Sequence, residues 1–179
     1  MTTAAEPCPG EALTPRHAPS PVGDDETVIR FVPLRAWLAY DGSGHVELTS
    51  AAFPEQELEG TKGKSVSVLR HMTAPQEILR RAVARNREPA WANDPVVARG
   101  QVLPMRQLRD YAGRWEICVN ADPITDNLGQ CPTHAGILRS DPLPDRSRRL
   151  ERARLRLALA SIFFDVAHLS GSPVADRGI

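Results

Sequence analysis

An α+β fold is predicted from three observations. Strand-like and helix-like stretches are mixed without strict β-α alternation. The strand-like stretches are short, rich in β-branched residues and bounded by Pro, Gly and polar turns. A long, largely apolar stretch near the C-terminus carries helical periodicity. Together these predict one small mixed or antiparallel sheet over residues 27–179, covered by two short helices and a long C-terminal helix.

Ahead of this domain, residues 1–26 hold five acidic residues, one basic residue (Arg16) and five prolines. Such a segment buries too little apolar surface to offset its ordering entropy, so a disordered tail is expected. "TVIRFVPL" then reads as a strand ending at Pro33. Asp41-Gly42-Ser43-Gly44 marks a turn, and "HVELT" alternates like a strand. "EQELEG" reads as a loop, and "KSVSVLR" as a strand with Val66 and Val68 on one face and Ser65, Ser67 and Leu69 on the other.

A helix follows. Thr73 is its expected N-cap, with Gln76 completing a capping box and Pro75 in the first turn. Ile78, Leu79, Ala82 and Val83 form its apolar stripe, leaving Arg80, Arg81, Arg85 and Arg87 largely outside. "DPVVARGQVL" is a strand with a candidate bulge at Gly100, and "PMRQLRDYAG" a short helix. "RWEICVNADP" is a strand, "ITDNLGQCPT" a polar loop and "HAGILR" a last strand. "PDRSRRLERARLRLALASIFFDVAHL" reads as one long helix with two apolar stripes. Leu155, Leu159, Ile162 and Val166 make the first, and Leu150, Leu157 and Phe164 the second.

Composition narrows the function classes. The chain has 41% hydrophobic residues, enough for a core, and no apolar run long enough to span a membrane. Three cysteines (Cys8, Cys118, Cys131) argue against a disulfide framework, and a cytoplasmic location is expected. Arg outnumbers Lys twenty to two, a bias of GC-rich, here bacterial, coding. Beyond the acidic tail the chain holds 21 basic and 17 acidic residues, too mild an excess for nucleic acid.

Three stretches raise chemistry. Gly63-Lys64-Ser65 ends like a phosphate-binding loop, but Leu58 stands where the first glycine is required, and the stretch opens a strand rather than a helix. No cofactor motif is read. Second, Arg30, then Ser65 and Ser67, then Glu116 lie on successive predicted strands. This order resembles that of ADP-ribosyltransferase-like folds over four residues. The resemblance implies an Arg on the phosphate of NAD, a Ser bracing the pocket and a Glu on a ribose hydroxyl. The plainer alternative places Ser65 and Ser67 on the solvent face of an amphipathic strand. Third, Cys131 and His134 are spaced C-x-x-H, a pair that can ligate zinc only if further ligands converge. His134, where a polar loop enters a strand, is the best candidate for an acid, base or ligand-binding group. Trp37, Trp91 and Trp115 are expected in the core.

Two functions are therefore expected. The first is a non-enzymatic accessory or binding module that meets a protein partner, or a second copy, through its C-terminal helix. Leu157, Phe164, Arg149, Arg152 and Arg156 would carry that contact. The second is a small NAD- or nucleotide-processing enzyme using Arg30, Ser65, Ser67, Glu116 and His134. Convergence of those residues on one concavity separates the two.

Overall fold

The computed structural model describes residues 17–58, 65–109, 117–139 and 149–175. Ten strands lie among them: β1 (Thr27–Val32), β2 (Leu38–Tyr40), β3 (Val46–Leu48), β4 (Val66–Arg70), β5 (Val96–Gln101), β6 (Ile117–Ala121), β7 (Ile124–Asp126), β8 (Gly129–Cys131), β9 (His134–Arg139) and β10 (Phe163–His168). The helices are α1 (Glu55–Leu58), α2 (Pro75–Arg85), α3 (Val102–Arg106) and α4 (Arg149–Ile162).

Six strands form one antiparallel sheet in the order β10-β5-β1-β4-β9-β6. The pairs β2-β3 and β7-β8 are separate hairpins. The α+β class therefore holds, and the sheet is antiparallel. One face packs against α4, α3 and the β2-β3 hairpin, burying Val28, Val32, Val66, Val68, Phe53 and Leu159. The other packs against α2, burying Ile29, Phe31, Leu69, Ile78 and Ala82. Val66 and Val68 point away from Leu69, as their alternation requires.

The C-terminal stretch departs from expectation. The helix ends at Ile162, and Phe163–His168 turn directly into the edge strand β10. Leu155 and Leu159 of the first stripe are buried, but the second stripe does not exist as a helix face. Leu157 is 60% exposed on α4, and Phe164 is 47% exposed on β10. Its neighbour Phe163 is the buried one, tilted against Phe53 at 5.3 Å between ring centroids. A bulge at Asp165, whose φ is 52°, shifts the β10-β5 register between Phe164 and Ala167. "IFFDV" satisfies both helical and strand patterns, and the open edge of β5 decides between them.

Smaller departures have local causes. Thr73 does not cap α2; its hydroxyl donates to Thr133 instead, and the N-cap is Ala74. Gly100 makes no bulge but pairs in register with Val28 and Phe163. A Cβ there would lie 2.5 Å from Met105 Cε. "EQELEG" contributes the single turn α1, and the expected polar loop after β6 is the β7-β8 hairpin.

The described part of the expected tail is packed. Val22 is buried, and Ser20, Pro21 and Glu26 surround the fully buried Arg70. Cys131 is buried and free, whereas Cys118 is disulfide-bonded. No helix among the described residues is long and apolar enough to cross a membrane.

Candidate functional site

The site lies where the middle of the sheet comes apart. Strands β1 and β4 pair only at Val28↔Arg70 and Ile29↔Leu69. Continued at that register, Arg30, Phe31 and Val32 would face Val68, Ser67 and Val66, and these pairs do not form. The Arg30 side chain bridges the split. Its Nη1 donates to the main-chain oxygen of Ser67 at 2.8 Å and its Nη2 to that of Ala52 at 2.9 Å. A backbone acceptor freed by strand separation is thus met by a guanidinium rather than by a strand.

A cleft of about 490 Å³ opens along this split, within the range of small-molecule sites. Arg30, Trp37 and Glu57 line it from one side of the sheet; Phe31, Ser67, Arg85 and Arg87 line it from the other. Ser65, just ahead of β4, also lines it. The Arg30 guanidinium sits 5.1 Å from the Trp37 ring centroid, and that of Arg85 5.5 Å from Phe31.

Helix α2 aims the two outer arginines. Arg85 follows Ile78 and Ala82 at i+7 and i+3, on the stripe that faces the sheet. The expectation that Arg81 and Arg85 lie outside the apolar stripe is therefore corrected. Arg81 is fully buried and held by Glu77 (2.5 Å), Asp126 (2.8 Å) and the Gly129 oxygen (3.1 Å). Leu79 and Val83, expected inside, are about half exposed because they stand 100° or more off the stripe. Beyond the helix, the Arg87 amide donates to the Pro33 oxygen at 3.0 Å, which ties the end of α2 to the end of β1.

The cleft is electropositive. Glu57 is the one carboxylate among its described lining residues, and its nearest approach to Arg30 is 3.6 Å. Among the described residues no carboxylate comes within ion-pair distance of Arg85 or Arg87. Burial pushes the Arg30 guanidinium down to about 10; Glu57 opposes this and Arg85 adds to it. At neutral pH Arg30 thus stays a cation. Arg85 is lowered too, by burial and by the neighbouring charge of Arg81.

Behind Ser67 stands a chain of polar contacts. Ser67 Oγ lies 2.7 Å from His134 Nε2 and accepts from Arg85 Nη1 at 2.7 Å. His134 Nδ1 lies 2.6 Å from the Asp122 main-chain oxygen and 3.7 Å from its carboxylate. Ser65 Oγ donates to that carboxylate at 3.3 Å. Strand register creates this meeting. Ser67 faces Gly136 on β9, so its hydroxyl reaches diagonally to His134, two residues away on the same face. A side chain at position 136 would not fit: its Cβ would lie 2.4 Å from Ser65 Oγ. His134 is 4% exposed, and burial holds it below its ordinary value; Asp122 opposes that shift, while Arg85 and Arg81 add to it.

Arg30, Ser65, Ser67 and His134, named from the sequence, are thus brought together. Glu116 lies outside the described residues. Cys131 is buried on the α2 side of the core, 3.8 Å from Thr133, and among the described residues no three His, Cys, Asp or Glu side chains gather as a metal site would need. Sequence reasoning missed Arg85, Arg87, Trp37, Glu57 and Asp122. For Arg85 a signal existed in its i+7 spacing from Ile78; for Asp122 only the β6-β9 pairing supplies one. The chain matches no family model, and neither a curated protein nor a solved structure shows significant similarity to it.

Proposed function

We propose that this chain binds a phosphate-bearing small molecule of nucleotide type in the split between β1 and β4. The second of the two expected functions is thereby favoured. The observation that carries the reading is the charge balance of the cleft, three arginines against Glu57 alone. Arg30 is buried, Arg85 half-buried and Arg87 exposed at the mouth, so the cleft presents clustered guanidinium groups to an entering anion with few carboxylates to compete for them. Guanidinium groups suit phosphate oxygens, which they meet with paired N–H donors. Trp37 and Phe31 add flat apolar surface for a ring, and Glu57 offers acceptors for hydroxyls.

The accessory-module reading draws less support from its cations. Arg156 donates to the main-chain oxygens of Ser50 and Phe53 at 2.9 Å and 2.8 Å, and Arg152 pairs with Glu55 at 2.5 Å. These arginines are engaged in fastening α4 to the segment that runs from Ser50 into α1.

Calorimetric titration of the full chain with ADP, NAD and inorganic phosphate tests the proposal. Binding is expected for at least one nucleotide, weakened about tenfold or more by Arg85→Gln or Arg87→Gln, since a hydrogen bond to a charged group contributes about 1.5–3 kcal/mol. Circular dichroism should show both variants folded. Absence of binding to every ligand, or undiminished binding by both variants, would overturn it.

A further inference from the structure

We propose that Ser67 is a nucleophile, activated by His134, and that the cleft cleaves carboxylic esters carrying an anionic group. The ester's anionic group would be held by the arginines, so this part rests on the binding reading above; the activation of Ser67 does not.

Proton bookkeeping within the site orients the hydroxyl. A main-chain carbonyl only accepts, so the 2.6 Å contact with Asp122 requires the hydrogen of His134 on Nδ1. The buried ring is neutral, and its Nε2 is then bare. Ser67 must therefore donate its O–H to Nε2 across 2.7 Å. The same oxygen receives an N–H from Arg85 at 2.7 Å, which favours negative charge on it. A hydroxyl in reach of a base, with the base oriented by a third group, is the arrangement of an activated nucleophile. Here the third group is the Asp122 main chain, and its carboxylate at 3.7 Å from Nδ1 stabilises an imidazolium when one forms. Asp122 is thus a positioning residue.

The chemistry balances without a cofactor. Ser67 Oγ attacks the ester carbonyl carbon, forming an O–C bond while its proton passes to His134 Nε2. The tetrahedral adduct collapses, the bond to the leaving oxygen breaks with its electron pair, and that oxygen takes the proton from Nε2. Water then attacks the acyl group, again giving a proton to Nε2, and Ser67 leaves and recovers it. Ester and water become acid and alcohol. Arg85 Nη1, already hydrogen-bonded to the serine oxygen, is the donor assigned to the developing oxyanion.

An alkyl fluorophosphonate, a small uncharged serine probe, tests the nucleophile on the full chain. The expected result is one adduct per folded molecule by intact mass, mapped to Ser67 by peptide fragmentation, and none on heat-denatured protein. Ser67→Ala should abolish it, and His134→Gln should slow labelling at least about a hundredfold. Should His134→Gln fail to fold, the wild-type pH profile serves. The labelling rate should rise with pH as His134 loses its proton, with a midpoint below 6.5. The charged groups that face His134 and shape that profile are Asp122 beyond β6 and Arg81 and Arg85 on α2. No adduct, an adduct elsewhere, or a pH-independent rate overturns the proposal. Because the probe carries no anionic group, labelling and nucleotide binding succeed or fail separately.

Discussion

Ser67 Oγ and His134 Nε2 stand 2.7 Å apart across 67 residues of chain. Each is anchored by its strand, and the pair meets because β4 and β9 align Ser67 with Gly136 and Leu69 with His134. A slip of one strand by a single register step would leave the two side chains on opposite faces of the sheet.

Gly136 makes that approach possible. Gly136→Ala would place a Cβ 2.7 Å from Ser65 Cβ, and the strands must part or Ser65 must shift. A loss of about 1–3 kcal/mol is expected on chemical denaturation. The double variant Gly136→Ala with Ser65→Gly should recover most of it. Additive losses in the double variant would refute the steric explanation.

His134 links stability to pH. Its value in the folded protein lies below the ordinary 6.5, so over that window the unfolded chain binds more protons. Stability should therefore fall as pH is lowered from about 7 through 6.5 toward the folded value, and level off below it. Denaturation of wild type and His134→Gln at a series of pH values checks this; the variant should lack that slope.

Arg70 and Glu26 fix the chain that leads into β1. Arg70 is fully buried, and its Nε donates to Glu26 at 2.8 Å, with further bonds to Ser20 and Pro21. Burial pushes the Glu26 carboxyl up, but the Arg70 hydrogen bond, the Gly23 amide and the Arg70 charge together hold it below its ordinary value. Glu26→Ala strands a buried cation and should cost about 3–5 kcal/mol at neutral pH. The Glu26 contribution is present above pH 4.5 and should disappear as pH falls through the lower folded value. Urea midpoints of wild type and variant at pH 7 and at pH 3 measure both effects.

The helix-to-strand switch makes opposite demands on two adjacent rings. Phe163→Ala should cost about 3–5 kcal/mol because it empties the contact with Phe53, and Leu159→Ala about 2–5 kcal/mol. Phe164→Ala and Leu157→Ala, on exposed side chains, should each change stability by less than about 0.5 kcal/mol. Thermal unfolding of the four variants ranks them. A large loss at Phe164 would mean that a partner covers it, and sedimentation would then show association.

Much of the fold was legible because it is written locally. The alternation of "SVSVLR" told which side of β4 meets the main core, and Pro75 with the Ile78–Ala82 spacing placed α2. Leu155 and Leu159 were recognisable as core from their spacing. Where two periods fit one stretch, as in Phe163–His168, the helical period was followed and proved wrong, because the vacant edge of β5 chose the strand.

For the site, the resemblance to an ADP-ribosyltransferase-like order nominated Arg30, Ser65, Ser67 and Glu116, the last outside the described residues, and the loop-to-strand position of His134 nominated that residue by itself. The meeting of Arg30, Ser65, Ser67 and His134 is a different kind of fact. It depends on which strands neighbour one another, on the β1-β4 split that Arg30 bridges, and on the turn of α2 that carries Arg85 onto Ser67. Side-chain periodicity is set by bond geometry within a few residues and can be read along the chain. Strand order and register are set by long-range burial of two sheet faces at once, so only the folded molecule decides them.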